Sequence, residues 1–185
     1  MIEYSEFLEA KAPSAPSFGI VPSGTSAILY PFQRAITEWA IKRGRAAVFA
    51  DCGLGKTLMQ LEWARQSGER VLIVAPLSVS DQTIDEAQKL GMDVTWADRP
   101  IDGRGVFITN YQKLQHFTGG GYDAIVLDES SILKSLDGKT RTMLLRKFTD
   151  IPRRLCCTAT PAPNDLSEIA NHSEFLGVMP RNEML

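Results

Sequence analysis

The chain has 185 residues, 44% of them hydrophobic and 23% charged, and a net charge of −2. That makeup suits a soluble globular domain with one sizeable core and excludes a strongly basic, histone-like binder, though not a local basic groove. No apolar run reaches the roughly 18 residues of a membrane helix, and the acidic start "MIEYSEFLEAK" has no signal-peptide apolar region.

Residues 11–26, "KAPSAPSFGIVPSGTS", are rich in Ala, Pro, Ser and Gly. Residues 1–27 therefore read as an arm or linker ahead of a folded unit over 28–185. "PFQRAITEWAIKRG" opens on Pro31, closes on Gly44 and sets Phe32, Ile36, Trp39 and Ala40 at helical spacing. A short apolar strand follows at 46–50, then a helix from Lys56 to Gln66 closed by Gly68. "VLIVA" (71–75) is a second strand, after which Ser80 is expected to cap a helix running to Leu90. Strands are expected at 94–97, 105–109 and 124–128, a helix at 140–148 and a strand at 153–160. A last helix runs through Phe175, with Asp165 and Glu168 as its capping box. Strands alternating with helices make an α/β fold with a mainly parallel sheet, and continuous apolar runs suit strands buried on both faces. Ligands of such sheets bind at the carboxyl ends of the strands. The polar segments 51–57, 76–78, 109–111, 128–131 and 158–164 fall there.

The loop Asp51-Cys52-Gly53-Leu54-Gly55-Lys56-Thr57 stands between an apolar strand and a helix. Gly53 and Gly55 let backbone N–H groups turn inward around phosphate oxygens, and the helix adds its positive dipole end. Cys52, Gly53, Leu54, Gly55, Lys56 and Thr57 are the expected phosphate cradle, with Lys56 on the β- and γ-phosphates and Thr57 on Mg²⁺. The strict pattern asks for glycine at position 50, where this chain has Ala50. "AIVLDESS" ends a buried strand in two acids. Beside a phosphate loop, Asp128 suits Mg²⁺ and Glu129 suits activating a water.

Six segments in order resemble the first RecA-like lobe of a superfamily-two helicase or translocase, close to the Swi/Snf type and especially to phage-encoded members. "LYPFQRAITEWA" resembles the Q motif, "ADCGLGKT" motif I, "VLIVAPLSVSDQTIDEAQKL" motif Ia, "FITNYQKL" motif Ib, "IVLDESSILKS" motif II and "RLCCTATPAPNDLSEIANHSEFLG" motif III. The resemblance covers residues 28–177. It implies a RecA-like P-loop three-layer sandwich and ATP with Mg²⁺ as cofactors. It explains Ala50, since the family often has alanine there. It also implies Gln33 as the adenine reader, and Phe18 as an aromatic that stacks on the base.

In the family the motif III strand lies between those of motifs I and II. That places Thr158 and Thr160 beside Asp128 and Glu129, where hydroxyls sense the γ-phosphate. Motif II departs from Asp-Glu-Ala-His or Asp-Glu-Ala-Asp, with Ser131 where a residue usually links the ATP site to motif III. Lys134 matches the Swi/Snf-type lysine. Nucleic acid, DNA ahead of RNA, is expected across the top of the sheet on Pro76, Leu77, Ser78, Thr109, Asn110 and Tyr111. Backbone N–H groups and short hydroxyls there hold phosphates without a basic surface. The basic stretches 42–45 and 146–154 read as solvated faces.

His116 and His172 stand alone, without metal-ligand spacing. The three cysteines, Cys52, Cys156 and Cys157, lack C-x-x-C spacing and support neither a disulfide framework nor zinc. A reducing cytoplasmic compartment follows, in a bacterial or phage-infected cell, or at the nucleoid, without a membrane partner. The family motor needs a second RecA-like lobe, in cis or in trans, to supply arginine fingers. A dimer would draw attention to Arg153, Arg154 and Arg181. Three classes stay open: a motor ATPase lobe, a nucleotide-dependent binding module without turnover, and a small-substrate phosphotransferase. Gln33 and "TATPAPN" argue against the last.

Overall fold

The computed structural model describes residues 17–134, 138–162 and 165–184, with the side chains of Lys134 and Leu166 outside the described set. The elements in chain order are α1 (Pro31–Arg43), β1 (Arg45–Phe49), α2 (Lys56–Gln66), β2 (Arg70–Ala75), α3 (Leu77–Lys89), β3 (Val94–Trp96), β4 (Gly105–Asn110), β5 (Ala124–Asp128), α4 (Lys139–Lys147), β6 (Arg153–Thr158), α5 (Ile169–Leu176) and α6 (Arg181–Met184). Short 3-10 turns cover Lys113–His116, Ser130–Lys134 and Leu166–Glu168.

The six strands form one parallel sheet in the order β1-β6-β5-β2-β4-β3. β6 lies between β1 and β5, so the strand ending in Thr158 separates the phosphate-loop strand from the strand ending in Asp128. Alternation along β2 divides the core in two. Val71, Ile73 and Ala75 pack with Ile41, Leu61, Trp63 and Ala87 of α1, α2 and α3. Leu72 and Val74 pack on the other face with Leu144, Phe148 and Phe175 of α4, its C-terminal end and α5. This is the three-layer α/β sandwich, and a period of two on strands buried on both faces produces it. All carboxyl ends share one edge because every strand is parallel.

Two helix starts differ from expectation. α3 begins at Leu77 with Pro76 as its N-cap residue, and Ser80 is an interior position whose Oγ donates to the Pro76 carbonyl at 3.2 Å. The φ of −58° that proline fixes at Pro76 starts the helix earlier than a serine cap would. Asp165 accepts from the Ser167 amide at 2.7 Å and so caps a 3-10 turn, one turn ahead of α5.

Residues 17–28 contain no helix or strand and lie along α1 and α2. The Ile20 amide donates to the Ile41 carbonyl at 3.1 Å, and the Ser23 amide to Gln66 Oε1 at 2.8 Å. No helix among the described residues is long and apolar enough to cross a membrane.

Candidate functional site

The phosphate loop leaves β1 and enters α2 through two left-handed glycines, Gly53 (φ 79°) and Gly55 (φ 76°). A Cβ on Gly55 would also stand 2.3 Å from Gln33 Nε2, so packing and backbone both demand glycine. Ala50 is not in the left-handed region, and alanine suffices there. Lys56 Nζ donates to the carbonyls of Ala50 (2.8 Å) and Asp51 (3.1 Å). Gln33 is buried between α1 and the loop. Its Oε1 accepts from the Tyr30 amide at 2.8 Å, and its Nε2 donates to the Leu54 carbonyl at 3.0 Å. The Gln33 carboxamide thus clamps the helix start to the loop.

Asp128 and Glu129 stand at the tip of β5, facing that loop. A cleft of about 540 Å³ is lined by Cys52, Gly53, Gly55, Lys56, Thr57 and the two acids, with Thr83 and Glu86 of α3 on its far wall. Burial pushes the Asp128 carboxyl up, against the opposing influence of nearby Gln60 and of the Glu129 amide, which donates to its Oδ1 at 3.1 Å. No ion pair among the described residues neutralises it. A desolvated carboxylate facing a threonine hydroxyl in one cleft fits a hard divalent cation, with Asp128 and Thr57 as oxygen donors.

Glu129 has φ 52°, the left-handed region, and is the only described non-glycine residue there. Its Oε1 accepts from Thr158 Oγ1 (2.8 Å) and from Ser131 Oγ (2.6 Å). Thr158 Oγ1 in turn accepts the Thr160 amide at 3.0 Å. Sequence reasoning placed Ser131, Thr158 and Thr160 near the acids, and the structure brings all three into one network centred on Glu129. Thr160 enters by its backbone alone. Lys134's side chain and residues 163–164 of "TATPAPN" lie outside the described residues.

A second cleft, of about 530 Å³, is lined by Pro76, Leu77, Ser78, Tyr111 and Gln112, and Glu129 and Ser131 line it too. Leu77 and Ser78 are exposed at the N-terminus of α3, which has no side-chain cap. Thr109 and Asn110 are buried, and Asn110 Oδ1 accepts the Lys113 amide at 2.9 Å. Their side chains therefore do not reach the cleft. Tyr111 donates its hydroxyl to the Asp128 carbonyl at 2.6 Å, tying β4 to the acid-bearing tip. Burial, then the nearby Asp128 charge, pushes that phenol well up.

The structure corrects two expectations. Phe18 lies under the Arg45 guanidinium, 3.7 Å from ring centroid to Cζ, at the start of β1 and so at the sheet edge opposite the phosphate loop. It does not stack near Gln33, because the arm turns along α1 toward that far end. Arg154 is 2% exposed and donates to the carbonyls of Ile151 and Phe175; Arg153 donates to the Ser67 carbonyl. Both begin β6, at that same far edge, and neither is presented for donation to a partner's nucleotide.

Two residues escaped sequence reasoning. Gln60, fully buried on α2 one turn after Thr57, lies beside Asp128 and acts to lower its pKa. Its only sequence signal is a polar residue at i+3 from a phosphate-loop threonine. His172, set aside as isolated, is buried against Ser130 and Phe49. Among the described residues no cluster of His, Cys, Asp and Glu could hold a metal by itself.

The family model of the SNF2-related domain matches residues 32–184. No curated protein matches the chain. Among solved structures, the SWI2/SNF2 ATPase core of Sulfolobus solfataricus in complex with dsDNA superposes over 86% of this chain and 38% of its own length, with a TM-score of 0.71 and 20% identity. The UvsW helicase of bacteriophage T4 superposes over 97% of this chain and 66% of its own, with a TM-score of 0.64 and 14% identity. The Hef helicase domain of Pyrococcus furiosus superposes over 79% and 35%, with a TM-score of 0.60 and 17% identity. The chain thus spans between about a third and two thirds of these relatives. Its sheet order, its phosphate loop and the family match together make it a first helicase lobe, and the chain belongs to the SNF2-related domain family.

Proposed function

We propose that the chain is the ATP-binding N-terminal motor lobe of a nucleic-acid-dependent ATPase, a helicase or duplex-DNA translocase, working in the cytoplasm or at the nucleoid and turning over ATP only with a second lobe. The observation that carries this reading is Glu129 on the wall shared by two clefts, one with the phosphate loop and one with the ends of β2 and β4. One carboxylate there can answer both nucleotide and nucleic acid. The dsDNA in the Sulfolobus relative supports DNA over RNA.

Triphosphate binding would use groups already facing the loop. Lys56 would exchange the carbonyls of Ala50 and Asp51 for β- and γ-phosphate oxygens. Amides of the 52–57 loop and the start of α2 would hold the remaining oxygens. Gln33 is the proposed adenine reader, and its present bonds to Tyr30 and Leu54 give the base a direct hold on loop conformation. Thr57 and Asp128 would hold Mg²⁺, which neutralises phosphate charge when bound. Water attacks the γ-phosphorus as the bond to the β–γ bridging oxygen breaks, and Glu129 takes the water's proton. Nucleic-acid phosphates would lie along the second cleft on the amides of Leu77 and Ser78, opposite Tyr111.

A nucleotide-dependent binding module without turnover is the second reading. It is favoured by the engagement of Glu129 Oε1 with both Ser131 and Thr158, which occupies one of the two carboxylate oxygens. An ATPase assay separates the two. Turnover that appears when a second lobe and DNA are supplied, and vanishes in Glu129→Gln, establishes the motor lobe. Its absence under those conditions leaves the binding module.

A further inference from the structure

Ser130 follows the two acids, is fully buried, and places its Oγ 3.1 Å from Nε2 of His172, itself 1% exposed. The same imidazole meets the Phe49 ring edge-on, with centroids 5.2 Å apart. The backbone of Glu168, one turn earlier, is also close to the ring. Phe49 ends β1, next to Ala50, whose carbonyl holds Lys56. One side chain therefore touches the strand feeding the phosphate loop, the segment behind Asp128 and Glu129, and the helix behind Thr158.

α5 has a second attachment at its other end. Arg45 donates to the Leu176 carbonyl and Arg154 to that of Phe175. Both arginines sit at the starts of their strands, at the sheet edge opposite the nucleotide cleft. His172 and Leu176 are about 6 Å apart along the helix axis. α5 is thus pinned at its C-terminal end by the two arginines, is paired with Arg141 of α4 through Glu174, and meets the segment behind the acids through His172. Glu129, next to Ser130, holds a left-handed backbone at φ 52°, a strained region for a residue with a Cβ. Relief of that strain would reorient Ser130, the next residue in the chain.

We propose that the Ser130–His172 bond is the joint through which occupancy of the phosphate loop repositions α5, with His172 a positioning residue and not a catalytic one. The inference rests on the reading that ATP occupies the loop, so the test follows both places in one sample.

Amide hydrogen exchange is measured on the 185-residue chain with and without Mg²⁺ and a non-hydrolysable ATP analogue. In wild type, nucleotide slows exchange over 51–58 and alters it over 169–176 by about threefold or more. Ser130→Ala and His172→Phe keep the first response and lose the second. His172→Gln, whose amide still pairs with the Ser130 hydroxyl, keeps both. Ser130→Ala deletes a single oxygen and carries the test alone if His172→Phe fails to fold. A bond that merely holds the fold together would raise basal exchange in α5 and leave its nucleotide response in place. That result overturns the proposal, as does a wild-type α5 indifferent to nucleotide while 51–58 is protected. No protection at 51–58 in wild type overturns the ATP reading and, with it, this inference.

Discussion

Thr158 Oγ1 donates a 2.8 Å hydrogen bond to Glu129 Oε1, joining the tips of the neighbouring strands β6 and β5. Thr158 is fully buried and Glu129 half-buried, so the bond is partly shielded from water. Thr158→Val keeps the shape and removes the donor. The expected cost is about 1.5–3 kcal/mol, the range for a hydrogen bond to a charged group. Urea denaturation measures it, and a loss under about 0.5 kcal/mol, the scale of neutral surface changes, would show that the bond holds nothing.

The two acids should fail differently. In a chain carrying both lobes, Glu129→Gln keeps Mg²⁺–ATP binding and removes hydrolysis, because the amide cannot take the water's proton. Asp128→Asn weakens the dependence of ATP affinity on Mg²⁺, because it deletes the charged oxygen donor opposite Thr57. Calorimetric titration with and without Mg²⁺, beside a phosphate-release assay, separates them. Normal turnover by the Glu129 variant would assign the proton to another group.

His172 makes stability depend on pH. Burial lowers its pKa, against the opposing influence of the Ser130 and Glu168 backbones and the Glu168 charge. The unfolded chain takes up a proton near the ordinary value of about 6.5, and the folded chain only at lower pH. Stability is therefore full above that value and falls as pH drops through it toward the folded pKa. His172→Gln should flatten the melting temperature between about pH 7 and pH 5, a span set by the ordinary histidine pKa. A variant with the wild-type slope would place the titrating group elsewhere.

Much of this was legible in the sequence because local chemistry and tertiary need coincide there. Gly53 and Gly55 sit in the left-handed region that favours glycine, and the apolar runs of β2 and β5 are buried on both faces. The family resemblance implied β6 between β1 and β5, and the sheet agrees. Contacts across elements were not legible. His172 is 42 residues from Ser130, and no local pattern announces the bond. Gln60 reads as one polar residue on a helix until α2 is laid over β5. Thr109 and Asn110 look available in a strand-end motif, yet the turn at Lys113 takes Asn110 inward. Phe18 is misplaced because the resemblance supplied an aromatic upstream of Gln33, while an extended arm gives no direction.

The lobe by itself should hydrolyse ATP very slowly, and DNA should not accelerate it. An arginine finger contributes on the order of 10³–10⁵ in rate. The arginines of β6 are committed to carbonyls at the far sheet edge. Supplying the second lobe should restore both turnover and its dependence on DNA. Robust DNA-stimulated turnover by a confirmed monomer of the 185-residue chain would contradict the need for that lobe.

Calorimetric titration of Mg²⁺–ATP into the wild-type chain and into Lys56→Ala tests the central claim most directly. Lys56 is the cation held at the mouth of the cleft by the Ala50 and Asp51 carbonyls. Weak but saturable binding of one ATP by wild type, abolished or lowered at least about tenfold, roughly 1.4 kcal/mol, in the variant, is the predicted result. Equal affinity of the two proteins, or no binding by wild type at millimolar ATP, would contradict it.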